Sequence, residues 1–206
     1  MRIGVLGAAG GTGRQVVQQA LDRGWEVAAL ARRPDALTIT NERLSVTQGD
    51  AREPSGAASV VKGCDAVISV IGLRKGVDTS LSDATTTICA AMKEAGVRRL
   101  VVMSVLGIRD SADKAGIFGR VIIPLFMKKA VSDRVRVEEV VEASGLDYTL
   151  VRAARLVDGG PTGKYSAGPD ARANATSKVT RGDVAHCLLD QAEAQGEHSR
   201  AIGVVG

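Results

Sequence analysis

Apolar residues along this chain fall into two alternating patterns. Runs at 2–7, 25–31, 44–48, 65–71, 98–103 and 147–152 have the unbroken or alternating character of strands, with a last short one at 203–205. Between them, at 11–23, 54–62, 79–95, 130–144 and 180–194, apolar positions recur three and four residues apart and predict helices. Gly24, Gly96 and Gly145 follow three of these helices, where a left-handed residue ends a helix. Thr180 opens the last helix, with Asp183 three residues on in a capping-box-like arrangement. This alternation predicts an α/β fold, a doubly wound and mostly parallel sheet in one domain spanning 1–206. Two stretches lack periodicity. The first, 110–129, carries Gly116, Gly119, Pro124 and an apolar group of Ile117, Phe118 and Val121 through Met127. It reads as a loop with one helical turn or more, packing near the cleft, that excludes water, grips a flat substrate or forms a subunit contact. The second, 153–179, reads as a small substrate-facing subregion with a short hairpin around Lys164, Tyr165 and Ser166.

The turn between the first strand and helix is Gly7-Ala8-Ala9-Gly10-Gly11-Thr12-Gly13. Glycines at 7, 10 and 13 allow a tight turn, close approach of a pyrophosphate and packing of helix on strand, with the helix N-terminus facing the anion. The strand before it and the helix after it give the motif its context, that of a Rossmann-like dinucleotide fold. Many such folds end the second strand in an acid that bonds the ribose 2′-hydroxyl. Here Arg32 and Arg33 stand instead. Two guanidiniums fit a 2′-phosphate, so the expected cofactor is NADP(H); the alternative is a solvated turn before Pro34. Asp50 and Gly72 end the third and fourth strands on the same carboxyl edge. Asp50 suits either the adenine amino group or the cap of the next helix. Gly72 permits close backbone approach, with Leu73 and Arg74 following.

Composition narrows the picture. Only 2% of the residues are aromatic, so the core must be Val, Ile, Leu and Ala, as suits a sheet buried on both faces. A net charge of +4 is spread among interleaved acids, which argues against nucleic acid as a partner and suits a phosphorylated cofactor. Cys64, Cys89 and Cys187 are far apart and form no C-x-x-C pair, so buried thiols in a reducing cytoplasm are expected. Only His186 and His198 offer imidazoles, and no metal site is expected; His186 reads as a packing residue. The apolar start is short and glycine-broken, unlike a signal peptide, and no run approaches membrane-spanning length, so no membrane partner is expected.

Motifs along almost the whole chain make it similar to the atypical short-chain dehydrogenase/reductase group, the NAD(P)H-binding proteins related to the NmrA-like family. They lie at 7–13, 31–34, 49–50, 66–72, 90–97 and 138–152. The short length and the stretch 156–165 most resemble the biliverdin reductase B/flavin reductase branch. The resemblance implies a phosphate loop at Gly7, Ala9, Gly10, Thr12 and Gly13, with Arg32 at the 2′-phosphate; Gly11 and Arg33, next to them in the chain, are further candidates for cofactor binding. It implies adenine contacts at Asp50 and Ala51, and nicotinamide-ribose contacts at Ile71, Gly72, Leu73 and Arg74. Met103 and Ser104 would lie beside the nicotinamide, with Ala153, Ala154 and Arg155 over it.

The departures bear on substrate. The tyrosine and lysine that most short-chain dehydrogenases place one helical turn apart are missing, since neither Tyr148 nor Tyr165 has lysine four residues later. Val105 stands where the branch's flavin reductase has a serine, Ala153 where many relatives have proline, and Arg155 where the branch has histidine. The expected activity is hydride transfer from NADPH to a small planar acceptor, such as flavin or a biliverdin-like tetrapyrrole. Such acceptors need positioning and cationic support more than a dedicated acid. Ser104 and Arg155 are the candidate catalytic residues; Lys128 and Lys129 either add charge or form a solvated helix start. Ser104 either bonds a ligand in the cleft or bonds backbone at its strand end. The alternative function is a non-catalytic, NADP(H)-sensing regulatory protein of NmrA-like type, with a sugar-nucleotide epimerase as a weaker third. The expected state is a monomer or weak homodimer.

Overall fold

Five apolar strands build the first part of the sheet: β1 (Arg2–Leu6), β2 (Glu26–Ala31), β3 (Leu44–Gln48), β4 (Ala66–Ser69) and β5 (Arg99–Val105). The connecting helices are α1 (Gly11–Asp22), α2 (Pro54–Val61) and α3 (Leu81–Ala95). Helix α4 (Lys128–Ala143), β6 (Asp147–Ala153), β7 (Arg155–Val157), β8 (Ser166–Gly168), β9 (Lys178–Thr180), α5 (Arg181–Glu193) and β10 (Arg200–Val205) complete the chain. The coordinates are a computed structural model that describes residues 1–72, 81–115, 128–174, 176–194, 196 and 199–206, without the side chains of 115 and 128–130.

The main sheet runs β3-β2-β1-β4-β5-β6-β10-β8. Every pair in it is parallel except β10 with β8. The chain moves outward from β1 through β2 to β3, then returns to lay β4 on the other side of β1. That reversal opens a crevice at the carboxyl ends of β1 and β4, where open α/β sheets bind ligands.

Strand alternation sends neighbouring side chains to opposite faces. Ile3, Val5, Ile68, Val101 and Met103 pack with Val16, Val17, Leu188 and Leu189 of α1 and α5. Leu6, Val67, Leu100 and Val102 pack with Val60 of α2, Ile88 of α3 and Val141 of α4. The three thiols are buried as expected, and burial pushes each above the usual cysteine range, to about 11 for Cys89 and about 12 for Cys187.

Two expectations need correction. Strand β4 stops at Ser69; Val70 still donates its N–H to the Leu6 carbonyl of β1 at 2.9 Å, and with Ile71 it borders the crevice. No hairpin forms around Lys164 to Ser166: β8 pairs antiparallel with β10, and β7 pairs parallel with β9 in a separate two-stranded sheet. The intervening loop is held to α5 instead, since the Asp183 carboxylate accepts from the Thr162 N–H (2.7 Å), the Thr162 hydroxyl (2.7 Å) and the Gly163 N–H (3.0 Å). Burial alone would raise the Asp183 pKa, but these bonds outweigh it and lower the pKa below the usual range. The expected helical turn in the irregular stretch is the 3-10 helix Arg109–Ala115, and α4 begins at Lys128, two residues earlier than expected. Residues 116–127, which include the apolar group expected to exclude water, grip a substrate or form a subunit contact, lie outside the described residues. Thr180 caps α5 as expected, its hydroxyl accepting from the Asp183 N–H at 3.0 Å.

Candidate cofactor site

A cavity of about 530 Å³ occupies the crevice at the carboxyl edge of the sheet. One side is the turn after β1: Gly7, Ala9, Gly10, Gly11 and Thr12 line it. Gly7 has φ +89°, and a Cβ there would lie 2.9 Å from the carbonyl of Val70, so only glycine lets β1 turn against the end of β4. Gly13 lies beneath the loop, not in the lining; a Cβ on it would fall 2.1 Å from the Gly7 carbonyl oxygen. Helix α1 can therefore seat directly on the turn. Its N-cap, Gly10, supplies no side-chain cap, and the first turn holds no acid. The arrangement leaves a cradle of backbone with the positive end of a helix behind it, which fits the pyrophosphate of a dinucleotide.

The ends of β2 and β3 form the next wall. Arg32 and Arg33 line it, both exposed, with Asp50, Ala51 and Arg52 opposite. Asp50 does not cap α2; the N-cap residue there is Glu53. The Asp50 carboxylate instead accepts from the Arg52 N–H (3.0 Å) and from its guanidinium (3.1 and 2.7 Å). Bonding to Arg52 holds the Asp50 pKa down to about 2. A fixed carboxylate in the cavity wall is able to accept from an amino group such as that of adenine.

Toward β5 the lining becomes apolar, with Val70, Ile71, Leu81, Ala84, Met103 and Leu156. Arg134 of α4 crosses this end, its guanidinium donating to the carbonyls of Met103 (3.2 Å) and Ile71 (3.0 Å). It ties together the ends of β4 and β5. Burial works against its charge and lowers its pKa. Asp133 beside it accepts from the Leu81 N–H at 2.7 Å and from the Ser82 hydroxyl at 3.0 Å, so α4 also positions the start of α3.

The two candidate catalytic side chains are not at this cavity. Met103 faces it, so Ser104, the next residue on β5, faces the other way. Ser104 is 2% exposed and donates to Glu138 Oε1 of α4 at 2.7 Å. Glu138, fully buried, also accepts from Arg152 Nε (3.0 Å) and Nη2 (2.8 Å) and, more loosely, from Arg109 (3.4 Å). Ser104 thus belongs to a buried ionic cluster. Arg155 is exposed and does not line the cavity; its neighbour Leu156 does. Ala153 and Ala154 are also outside the lining, packed into the core one strand further along. Leu73, Arg74 and His198 lie outside the described residues, as do the side chains of Lys128 and Lys129. Neither Tyr148 nor Tyr165 is in the described lining, and the Tyr165 hydroxyl bonds His186 Nδ1 at 2.9 Å.

The sequence reading missed three arginines of the lining: Arg52, Arg134 and Arg181. Arg134 sits four residues before Glu138, hence on the same face of α4, a placement visible only once Glu138 is known to point inward. Arg181 carried a plainer signal. It immediately follows the Thr180 cap, where a cation opposes the helix dipole. Among the described residues no cluster of His, Cys, Asp or Glu could hold a metal ion, and no helix is long and apolar enough to cross a membrane.

Glycine cradle, switch-point crevice and basic wall together define a Rossmann-like dinucleotide-binding protein. Residues 7–195 match the NAD(P)H-binding family, and the chain belongs to it. It is 25% identical over 213 residues to the uncharacterised protein YwnB of Bacillus subtilis (strain 168), covering 100% of this chain and 98% of YwnB. The (4-alkanoyl-5-oxo-2,5-dihydrofuran-3-yl)methyl phosphate reductase of Streptomyces griseus is 28% identical over 188 residues, which is 90% of this chain but 57% of that enzyme. Among solved structures, ChuY, an anaerobilin reductase from Escherichia coli O157:H7, has a TM-score of 0.83 at 25% identity, with 100% of this chain and 97% of ChuY covered. A wide-type short-chain dehydrogenase/reductase from Veillonella parvula DSM 2008, solved with NADP, shares the fold with a TM-score of 0.81 at 21% identity, over 98% and 93% of the two chains.

Proposed function

We propose that this protein is an NADPH-dependent reductase of a small planar, anionic acceptor of the flavin or linear tetrapyrrole class. The observation that carries the reading is the division of one cavity into a basic end, at Arg32 and Arg33, and an apolar end, at Ile71, Met103 and Leu156. The likeness to an anaerobilin reductase supports the acceptor class. Guanidiniums at the end of β2 suit the 2′-phosphate that distinguishes NADP(H) from NAD(H). The glycine loop would hold the pyrophosphate, and Asp50 with Ala51 the adenine.

When bound, a reduced nicotinamide supplies the hydride; the protein's part is to place the acceptor, fix charge and exclude water. Ile71, Met103 and Leu156 provide an apolar bed for a flat ring system. Arg134, held on two backbone carbonyls, keeps the bed rigid and sets a fixed positive charge beside it. Such fixed charge favours electron density arriving on an acceptor.

A second reading is an NADP(H)-sensing regulatory protein without turnover. What favours it is the burial of Ser104, which leaves the apolar end of the described cavity with no hydroxyl or carboxyl of its own. The two readings part in a steady-state assay of NADPH oxidation with FMN, FAD, biliverdin and a quinone. The reductase reading expects turnover with at least one planar acceptor, and NADPH preferred to NADH. Tight NADPH binding with no turnover on any of the four would overturn it in favour of the sensor.

A further inference from the structure

Helix α5 begins at Arg181, whose side chain does not extend into solvent but lies back across the glycine loop. Its Nη1 is 3.5 Å from the Thr12 hydroxyl, at the outer limit of a hydrogen bond. A Cβ on Gly11 would lie 2.8 Å from Arg181 Cδ and 2.9 Å from Nε, so the missing side chain at Gly11 is the space that the arginine fills. Its Nε donates to Asp158 Oδ1 at 2.8 Å, and Asp158 is 94% exposed. A cation in the first turn of a helix faces the positive end of the dipole and needs an anion beside it. Asp183 in the same turn is taken up by Thr162 and Gly163, so the carboxylate bonded to Arg181 is that of Asp158, on a loop, reached by one bond and open to water. Such a pair is weak and easily exchanged.

From this placement we infer that Arg181 is a pyrophosphate ligand that exchanges Asp158 for the cofactor's phosphates. The inference rests on the NADP(H) reading of the cavity. The positive end of α1 faces the loop, and the Arg181 guanidinium reaches over the same loop from the start of α5. A phosphate oxygen on the glycine loop offers a fork-shaped partner with two oxygens, which a guanidinium bonds more strongly than it bonds an exposed monodentate carboxylate. Exchange need not disturb the subregion after β7. Its loop stays fixed to α5 through the three bonds to Asp183. Asp158 thereby acts as a competitor that the phosphates must displace, holding the arginine in place while the cavity is empty of anion.

Titration calorimetry with NADP+ and with adenosine 2′-phosphate, which lacks the pyrophosphate, tests this. Arg181→Gln should weaken NADP+ binding by about 10- to 50-fold, the range for a lost charge-assisted phosphate bond, and leave adenosine 2′-phosphate within about twofold. Asp158→Asn should tighten NADP+ by about two- to fivefold, as release of an exposed pair allows, and lose that effect in the Arg181→Gln background. Unchanged NADP+ binding in Arg181→Gln would overturn the assignment, as would equal weakening of both ligands. Should Arg181→Gln fail to fold, Asp158→Asn decides alone: tightening of NADP+ but not of adenosine 2′-phosphate supports the exchange, and no tightening overturns it. Failure of the underlying reading has a different signature, since wild-type protein would then bind neither ligand.

Discussion

Glu138→Ala is expected to destabilise the folded protein by about 3–5 kcal/mol, the range for breaking a buried ion pair from one side. The reason lies in what remains. Arg152 is 4% exposed, and burial opposes its charge; Glu138 overcomes that opposition and raises its pKa. Without the carboxylate, Arg152 keeps, among the described acidic residues, only Asp110, at 2.8 Å and 69% exposed. The Ser104 hydroxyl loses its acceptor as well. Denaturant unfolding monitored by circular dichroism measures the change, and a loss below about 1 kcal/mol, the scale of an exposed pair, would mean that the cluster is not desolvated as described. Ser104→Ala removes one bond of that cluster and should cost about 1 kcal/mol. Because Ser104 lies on the face of β5 away from the cavity, NADPH turnover per folded molecule should stay within about twofold. A large loss of turnover at full stability would return Ser104 to the catalytic site.

The second large effect is on cofactor choice. Arg32→Ala should weaken NADPH by about 10- to 100-fold, which is the span of one charge-assisted phosphate contact, and leave NADH within about twofold. Arg32 is exposed and has no described carboxylate bond that its loss would orphan, so the variant should fold normally. Fluorescence titration with the two reduced cofactors gives both constants. Equal losses would show that Arg32 contributes only general positive charge. Arg33 shares the wall, and the double variant should bind the two cofactors almost equally.

How much of this was legible in the sequence depends on the range over which each residue acts. The glycine loop was readable because its requirements are local: Gly7 needs its positive φ, and Gly13 needs to clear the Gly7 carbonyl. Gly24, Gly96 and Gly145 likewise follow α1, α3 and α4 with positive φ. The arginine pair after β2 followed from strand order alone. Ser104 and Arg155 fall outside the described cavity lining, and facing is a matter of parity. One residue along a strand exchanges cavity for interior, and sequence cannot fix that register against a distant helix. Val70 and Ile71 are apolar enough to prolong β4 on paper, yet they serve as cavity wall. Arg134 has no local mark on α4, and Arg181 only its place against the helix dipole; tertiary packing turns them onto the strand ends and the glycine loop.

The buried thiols have one practical meaning. Cys64, Cys89 and Cys187 come from three separate connections of the sheet, on both of its faces, and each is both covered and held in the protonated form. Only the thiolate attacks an alkylating reagent, and here neither access nor ionisation is available while the chain is folded. Reaction at these positions therefore reports opening of the molecule itself, and comparing the three would resolve which layer of the fold yields first.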